Sequence, residues 1–292
     1  MKLIDGKIIS EQIKEEIKKE VAAMIDRGER PPHLAAVLVG DDPASQTYVA
    51  SKEKNCTLVG ITSTIYRMSE NTTQKELMDT VDFLNNDPEV DGFIVQLPLP
   101  KHLDEKKVIA AINPNKDVDG FHPENIGKMV LGEDTFISAT PFGIMEMLRR
   151  SQIDTVGKHC VVIGRSNIVG TPMSILMSRT TNPGNATVTI CHSKTQNLKE
   201  IAASADILIV AIGRPNFVTA DMVKPGAVVI DVGMHRIADS SKQSGFRLTG
   251  DVDFPEVSKK ASWITPVPGG VGLTTIAALL MNTLKARRMA GK

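Results

Sequence analysis

The stretch KHCVVIGRSNIVGTPMSILM, from Lys158 to Met177, has the pattern of a buried strand, a glycine-bearing turn and the first turns of a helix. Gly164 allows the tight turn, and Gly170 allows close packing or the approach of a phosphate. Backbone amides at the N-terminus of the following helix attract anions. The motif reads GRSNIVG rather than GxGxxG, so an ordinary strand-to-helix turn stays an alternative to a nucleotide site.

Strand and helix patterns alternate on both sides of this stretch. ATVTIC, DILIVAIG and GAVVIDVG follow it, and HLAAVLVG and GFIVQLPLP precede it. Strands that are apolar throughout and separated by helices predict parallel sheets covered on both faces. The first helix pattern, SEQIKEEIKKEVAAMIDRG, predicts a start at a Ser10 cap and an end at Gly28.

A loop-rich interval between Ile112 and Pro141 interrupts the alternation and indicates a functional or inter-domain segment. We therefore predict two α/β domains, residues 1–140 and 141–270, the second of them Rossmann-like, with an active-site cleft between them. The final helix, 271–292, is predicted to pack back on the first domain. Residues 235–251 have the composition of an exposed hairpin or loop.

Composition excludes several classes of protein. The 292 residues are 41% hydrophobic and 23% charged, with 34 basic and 34 acidic side chains, so a nucleic-acid partner bound along a basic face is not expected. The N-terminus is too charged for a signal peptide, and no apolar run approaches the roughly 18 residues of a membrane span. Three widely spaced cysteines form no zinc or disulfide pattern, which predicts no metal site and a cytoplasmic location.

The end of the second strand of the Rossmann-like domain predicts the cofactor. NAD sites place an acidic residue there to bind the ribose 2′-hydroxyl, but this chain has CHSKT, His192 to Thr195. Lys194 and Arg165 supply two cations suited to a 2′-phosphate, which favours NADP over NAD. The alternative for Lys194 is a solvated surface lysine.

The predicted first domain contains the candidates for acid–base chemistry. Tyr48 and Lys52 are four residues apart in a helical segment, so both side chains reach the same point. Gln96 is at the C-terminal end of a strand, the edge where open α/β sheets bind ligands. Asp117 and Asp119 are in the loop-rich interval. Spacing alone favours a solvated Lys52 over a catalytic one.

An ordered series of motifs favours the catalytic interpretation of Lys52 over the solvated one. YVASKEKNCTLVGI, DGFIVQLPLP, DVDGFHPENIGKM, TPFGIMEML, GRSNIVGTPMS, CHSKT, DILIVAIGRPNFV, VVIDVGM, GDVDF and ITPVPGGVG occur along nearly the whole chain. The series strongly resembles the bifunctional methylenetetrahydrofolate dehydrogenase/methenyltetrahydrofolate cyclohydrolase family. One departure follows PVPGGVG, where the family usually has Pro-Met-Thr and this chain has Leu273-Thr274-Thr275.

The resemblance implies a role for each candidate in the first domain. Lys52 is similar to the family's catalytic lysine of the cyclohydrolase step, and Gln96 to the partner that tunes its protonation. Tyr48 resembles the residue that orients the folate, and Asp119 the carboxylate that binds the pterin. Asp117 is then expected to be structural.

The resemblance also implies the cofactor and substrate contacts of the second domain. The residues that match NADP contacts are Gly164, Arg165, Ser166, Ser193 and Met234. The wall where folate and nicotinamide meet is expected at Pro266, Gly269 and Gly270. The implied activity is NADP-dependent oxidation of 5,10-methylenetetrahydrofolate and hydrolysis of the methenyl product to 10-formyltetrahydrofolate, by a homodimer.

Three alternatives remain at this point. The first is a monofunctional dehydrogenase without the hydrolytic step, against which Tyr48, Lys52 and Gln96 argue together. The second is a non-catalytic protein that binds NADP as a sensor. The third is another two-domain NADP dehydrogenase of the shikimate type, in which DGFIVQLPLP and PVPGGVG have no evident role.

Overall fold

The computed structural model describes residues 1–241 and 245–291. The chain divides into two units that each draw on separate parts of the sequence. The six-stranded unit comprises Met1–Ser10 and Thr140–Thr275, and the three-stranded unit comprises Glu11–Ala139 and Ile276–Lys292. Among the described residues, no helix is long and apolar enough to span a membrane.

Helices and strands alternate along the chain. The first half contains β1 (Lys2–Leu3), α1 (Gly6–Asp26), β2 (His33–Val39), α2 (Pro43–Val59), β3 (Thr62–Met68), α3 (Gln74–Asn86), β4 (Gly92–Val95), α4 (Glu105–Ala111) and α5 (Pro123–Leu131). The second half contains α6 (Ala139–Arg150), β5 (His159–Ile163), α7 (Gly170–Ser178), β6 (Thr187–Cys191), α8 (Leu198–Ala203), β7 (Ile207–Val210), β8 (Val228–Asp231), β9 (His235–Ala238), β10 (Phe246–Thr249), α9 (Phe254–Val257), β11 (Trp263–Ile264) and α10 (Val271–Ala290).

Local sequence signals explain where several helices begin. Thr73 forms a capping box with Glu76 at the start of α3, and Asp42 accepts a hydrogen bond from the Ser45 amide at the start of α2. The prediction of Ser10 as the first cap is wrong. Helix α1 begins at Gly6, because the Asp5 carboxylate accepts the amides of residues 7 and 8 and caps the helix one turn earlier.

The three-stranded sheet has the order β3-β2-β4 with parallel pairing throughout. Strand β2 is buried over nearly its whole length because helices cover the sheet, as its continuous apolar run predicts. The predicted strand GFIVQLPLP is shorter than expected and ends at Val95. Gln96 is therefore the first residue beyond the C-terminal end of β4.

The six-stranded sheet has the order β1-β11-β8-β7-β5-β6, and all its neighbouring strands are parallel. The chain passes from β5 to β6 on one side and then returns across β5 to β7. The ends of β5 and β7 consequently border a topological switch point, the position at which open α/β sheets bind ligands. The all-parallel main sheets confirm the predicted α/β class.

Two parts of the fold differ from a simple two-segment division. Strand β1 pairs with β11, so the first ten residues belong to the six-stranded unit; a two-residue strand has no periodicity that the sequence could reveal. Strands β9 and β10 form an antiparallel hairpin within the predicted segment 235–251, of which residues 242–244 lie outside the described ranges. The final residue of the predicted helix 271–292 also lies outside them.

Candidate active site

Lys52 lies on the buried face of helix α2. The buried positions of this helix are Ser45, Val49, Lys52, Cys56 and Val59, a spacing of three and four residues. Lys52 is only 5% exposed, so the prediction of a solvated lysine from spacing alone is wrong. The apolar residues three before and four after Lys52 are the signal that predicts its burial.

Two neighbours hold the Lys52 ammonium. Its Nζ donates to Oε1 of Gln96 at 3.2 Å and lies 4.6 Å from the centroid of the Tyr48 ring. The Gln96 amide nitrogen donates to the Leu97 carbonyl at 2.6 Å, which turns the side-chain oxygen of Gln96 toward the lysine. We call Tyr48, Lys52, Gln96 and Asp119 the lysine cluster.

Burial controls the protonation of this cluster. It lowers the pKa of Lys52, and the Asp119 carboxylate opposes that change. Burial raises the pKa of Asp119, and the Lys52 charge opposes that change in turn. The pKa of Tyr48 is raised by burial first and by Asp119 second, so the phenol stays protonated. Lys52 therefore releases its proton more readily than a surface lysine does.

The two carboxylates of the DVD motif have different environments. Asp117 accepts the amides of Phe121 and His122 at 3.2 and 2.7 Å and the Asn125 side-chain nitrogen at 2.9 Å. Burial raises the pKa of Asp117 to about 6 despite these bonds. Within the described residues Asp119 accepts no hydrogen bond, so its oxygens are available to an external donor. Asp117 shapes the turn, as the sequence predicts.

Asn282 is a residue that sequence reasoning missed. Its side-chain nitrogen donates to the carbonyls of Val118 and Ile137 at 2.8 and 2.9 Å. Asn282 is 2% exposed and joins helix α10 to the loop that contains Asp119. The available signal was a single amide within the apolar run AALLMNTL of the last helix.

The predicted nucleotide motif forms the turn between β5 and α7. Gly164 has a φ of +130°, and a Cβ there would lie 2.2 Å from the carbonyl oxygen of Ala211. A Cβ at Gly170 would lie 2.2 Å from the Gly164 carbonyl oxygen. Both glycines are therefore required by the close approach of the turn to its neighbours. We call the C-terminal ends of β5 to β8 the nucleotide edge.

The remaining predicted cofactor residues lie on this edge. Arg165, Ser166, Ser193 and Lys194 are exposed, at the ends of β5 and β6, and Met234, 58% exposed, follows β8. The Ser166 hydroxyl accepts the amides of Val169 and Gly170 at 3.1 and 3.4 Å, so it satisfies two backbone donors where α7 begins. The strand order brings these positions, distant in sequence, to one edge.

The PVPGG turn lies between β11 and α10. A Cβ on Gly270 would lie 2.5 Å from the Pro266 oxygen, and Gly269 has a φ of +106°. Beyond the turn, Leu273 is 37% exposed, and the hydroxyls of Thr274 and Thr275 donate to the Val271 carbonyl. The helix thus begins normally at the place where this chain departs from the Pro-Met pattern.

Comparison with known proteins identifies this combination of units. Residues 4–119 match the catalytic-domain model of tetrahydrofolate dehydrogenase/cyclohydrolase, and residues 138–290 match its NAD(P)-binding-domain model. The chain belongs to the tetrahydrofolate dehydrogenase/cyclohydrolase family. The family, the bifunctional enzyme class and the nicotinamide cofactor predicted from the sequence are thereby confirmed.

Relatives from this family match along the whole chain. The bifunctional protein FolD of Cytophaga hutchinsonii is 63% identical over 98% of this chain and 99% of its own. The crystal structure of FolD from Campylobacter jejuni superposes with a TM-score of 0.93 at 49% identity, over 99% of both chains. The Trypanosoma brucei dehydrogenase–cyclohydrolase, solved with NADP and an inhibitor, has a TM-score of 0.93 at 38% identity and covers 99% of this chain and 98% of its own.

Proposed function

We propose that this enzyme oxidises 5,10-methylenetetrahydrofolate with NADP and hydrolyses the methenyl product to 10-formyltetrahydrofolate, with the lysine cluster as its acid–base site. The observation that carries this proposal is the buried Lys52, whose Nζ donates to Gln96 at 3.2 Å beside the Tyr48 ring. Burying an ammonium costs free energy, so a fold that places one among apolar residues gains a proton-transfer group rather than stability.

The nucleotide edge fits NADP. Gly164 and Gly170 leave no space for a side chain, so the turn between β5 and α7 packs closely at the topological switch point, where dinucleotide-binding folds hold the pyrophosphate. Arg165, Ser193 and Lys194 are exposed and supply donors for a 2′-phosphate. When bound there, NADP supplies the hydride acceptor of the oxidation. The residues of this edge contribute binding and orientation.

Asp119 and Tyr48 are assigned to folate binding. The Asp119 carboxylate is half-buried and accepts two parallel N–H donors of a 2-aminopyrimidinone edge better than any neutral group does. Tyr48, also half-buried, offers an aromatic face beside it. Pro266, Gly269 and Gly270 are assigned to the substrate wall on the strength of the family motif.

Lys52 is assigned to proton transfer in the hydrolysis. Water adds to the electrophilic methenyl carbon and loses a proton, which the neutral amine of Lys52 accepts. The same proton is then delivered to N5 as the carbon–N5 bond breaks, and a second proton leaves the former water oxygen as the formyl group forms on N10. The lowered pKa of Lys52 provides the neutral amine, and Gln96 orients it.

The decisive experiment compares Lys52→Met with Lys54→Met, a matched substitution on the exposed face of the same helix. We expect Lys52→Met to lower hydrolysis of methenyltetrahydrofolate by about 10²–10⁴-fold, the usual contribution of a positioned acid–base group. Lys54→Met should leave hydrolysis unchanged. Undiminished hydrolysis in Lys52→Met would show that the proton-transfer role is wrong.

The parent enzyme also separates the alternatives. A monofunctional dehydrogenase would oxidise methylenetetrahydrofolate without hydrolysing the product, and a sensor would bind NADP without turnover. A steady-state comparison of NADP with NAD tests the cofactor assignment, because a strong NAD preference would contradict the roles given to Arg165, Ser193 and Lys194.

We further propose that the enzyme works as a cytoplasmic homodimer. Three buried free cysteines suit a reducing compartment, and the homodimer is the assembly that the family resemblance implies. Sedimentation equilibrium tests the assembly: a mass near twice the 31.6 kDa of one chain supports it, and a monomer mass contradicts it.

A further inference from the structure

Asp251 is a buried carboxylate outside the lysine cluster with an unusual set of donors. Its Oδ2 accepts the amides of Ile212 and Gly213 at 2.8 and 3.0 Å, and its Oδ1 accepts the amide of Arg214 at 2.8 Å. The residue has 0% exposure. Three consecutive backbone N–H groups thus converge on one side chain. A carboxylate can satisfy them all, whereas an amide cannot.

The segment 212–214 occupies a distinctive place in the sheet. It directly follows β7 and the adjoining Ala211, whose carbonyl oxygen is the atom that a Cβ on Gly164 would contact at 2.2 Å. The ends of β5 and β7 border the topological switch point of the six-stranded sheet. Asp251 therefore fixes the backbone on the β7 side of the position proposed for NADP.

His235 completes the arrangement from the β9–β10 hairpin. Its Nε2 donates to Oδ1 of Asp251 at 2.7 Å, and its side chain is 21% exposed. Asp231 fixes the other side of Asp251: its carboxylate accepts the amides of Asp251, Val252 and Gly233 at 2.9, 3.0 and 3.0 Å. A Cβ on Gly250 would lie 1.8 Å from Asp231 Oδ2, which explains the glycine of the GDVDF motif.

We propose that Asp251, with His235 as its hydrogen-bond partner, is a positioning residue for NADP that sets the segment 212–214 and so serves the oxidation but not the hydrolysis. This inference rests on the proposed binding of NADP at the nucleotide edge. Hydrolysis requires the Lys52 cluster of the three-stranded unit and no hydride acceptor. The two activities of one enzyme therefore provide an internal control.

The test measures NADP affinity and both activities in the full-length chain. In Asp251→Asn, an NH₂ group replaces one acceptor oxygen that faces backbone N–H groups; in His235→Phe, the donor to Asp251 is removed. We expect each to raise the Kd and KM of NADP by about 10-fold or more, the loss typical of a hydrogen bond to a charged group. Hydrolysis of methenyltetrahydrofolate should stay within about twofold of the parent.

Two controls make the result specific. His235→Gln retains a donor and should restore most of the NADP affinity. Arg236→Gln, at the exposed neighbouring position of the hairpin, should change neither activity. If Asp251→Asn fails to fold, the comparison of His235→Phe with His235→Gln still tests the proposal.

Unchanged NADP affinity in His235→Phe would overturn the inference, and so would a parallel loss of both activities, which would indicate a general effect on folding. Both results differ from a failure of the proposed function. If the proposed function were wrong, the parent enzyme itself would not oxidise methylenetetrahydrofolate with NADP.

Discussion

Lys52 and Asp251 are both buried charged groups, but their surroundings are opposite. Lys52 donates to one fixed acceptor, the side chain of Gln96, and faces an aromatic ring. Asp251 accepts three backbone amides and one imidazole. The first group is sparsely bonded and the second is saturated.

The difference shows what each group contributes. A carboxylate that accepts three backbone amides holds the chain in place, because removing it would leave several buried donors without a partner. Lys52 has one neutral acceptor, and burial lowers its pKa despite the nearby Asp119 carboxylate, so it changes protonation more readily than a surface lysine does. Sparse bonding suits proton transfer, and dense bonding suits positioning.

The largest expected effect comes from adding charge to the lysine site. Gln96→Glu places a carboxylate next to Lys52, raises the pKa of the lysine and depletes the neutral amine. Hydrolysis at pH 7 should fall by about 10²–10³-fold and recover as the pH rises. Gln46→Glu, the same substitution at an exposed position of α2, is the control. A pH–rate profile identical to that of the parent would contradict the role of Lys52.

A second prediction concerns Asp231, the carboxylate that accepts the backbone amide of Asp251. Burial, followed by repulsion from Asp251, raises the pKa of Asp231 to about 6, above the usual range of an aspartate. Its folded state thus binds more protons between pH 4 and 6, so its contribution to stability is present below about pH 4 and is lost as the pH rises through 6. Asp231→Asn should reduce the change in unfolding free energy between pH 4 and 7 by up to about 3 kcal/mol, measured by urea titration.

The reference for that measurement is the parent protein over the same pH series, since other carboxylates titrate in both. If the two proteins show parallel pH dependence, Asp231 does not carry the raised pKa. Asp117, with a pKa of about 6 for the same reason, serves as an independent second case.

Asn282→Ala should have a smaller effect that links stability to substrate binding. Two buried carbonyls, of Val118 and Ile137, lose their donor, so the free energy of unfolding should fall by about 2 kcal/mol. The KM for the folate should rise because the loop of Asp119 loses its attachment. Asn86→Ala, at an exposed position, is the control for both the free energy of unfolding and the KM. A destabilised enzyme with unaltered KM would limit Asn282 to a purely structural role.

The smallest expected effect is on the stability of Lys52→Met. Burial moves the pKa of Lys52 down and that of Asp119 up, which shows that their attraction does not offset their desolvation. Methionine removes the cost of burying the ammonium, but it also leaves Asp119 without the nearby positive charge and Gln96 Oε1 without its donor. These effects oppose each other, so the free energy of thermal or urea unfolding should change by less than about 1 kcal/mol. A marked destabilisation would mean that Lys52 is a structural residue.

Much of the architecture follows from local signals. The apolar strands with intervening helices predict the parallel sheets, the Thr73 capping box predicts the start of α3, and the Gly164 turn predicts the nucleotide edge. Local sequence signals did not predict the cap at Asp5 or the strand β1, because each segment is too short to show the hydrophobic periodicity of a helix or a strand.

The sequence by itself determined the α/β class, the family and the identity of the candidate residues, since these depend on patterns of adjacent residues. Only the tertiary structure decided that Lys52 is buried and bonded to Gln96, 44 residues away, and that Asn282 binds the carbonyl of Val118 across 164 residues. It also decided that three consecutive amides converge on Asp251. The physical reason is that the burial and hydrogen bonding of a polar group depend on segments that are distant in sequence, and no local pattern encodes their contact.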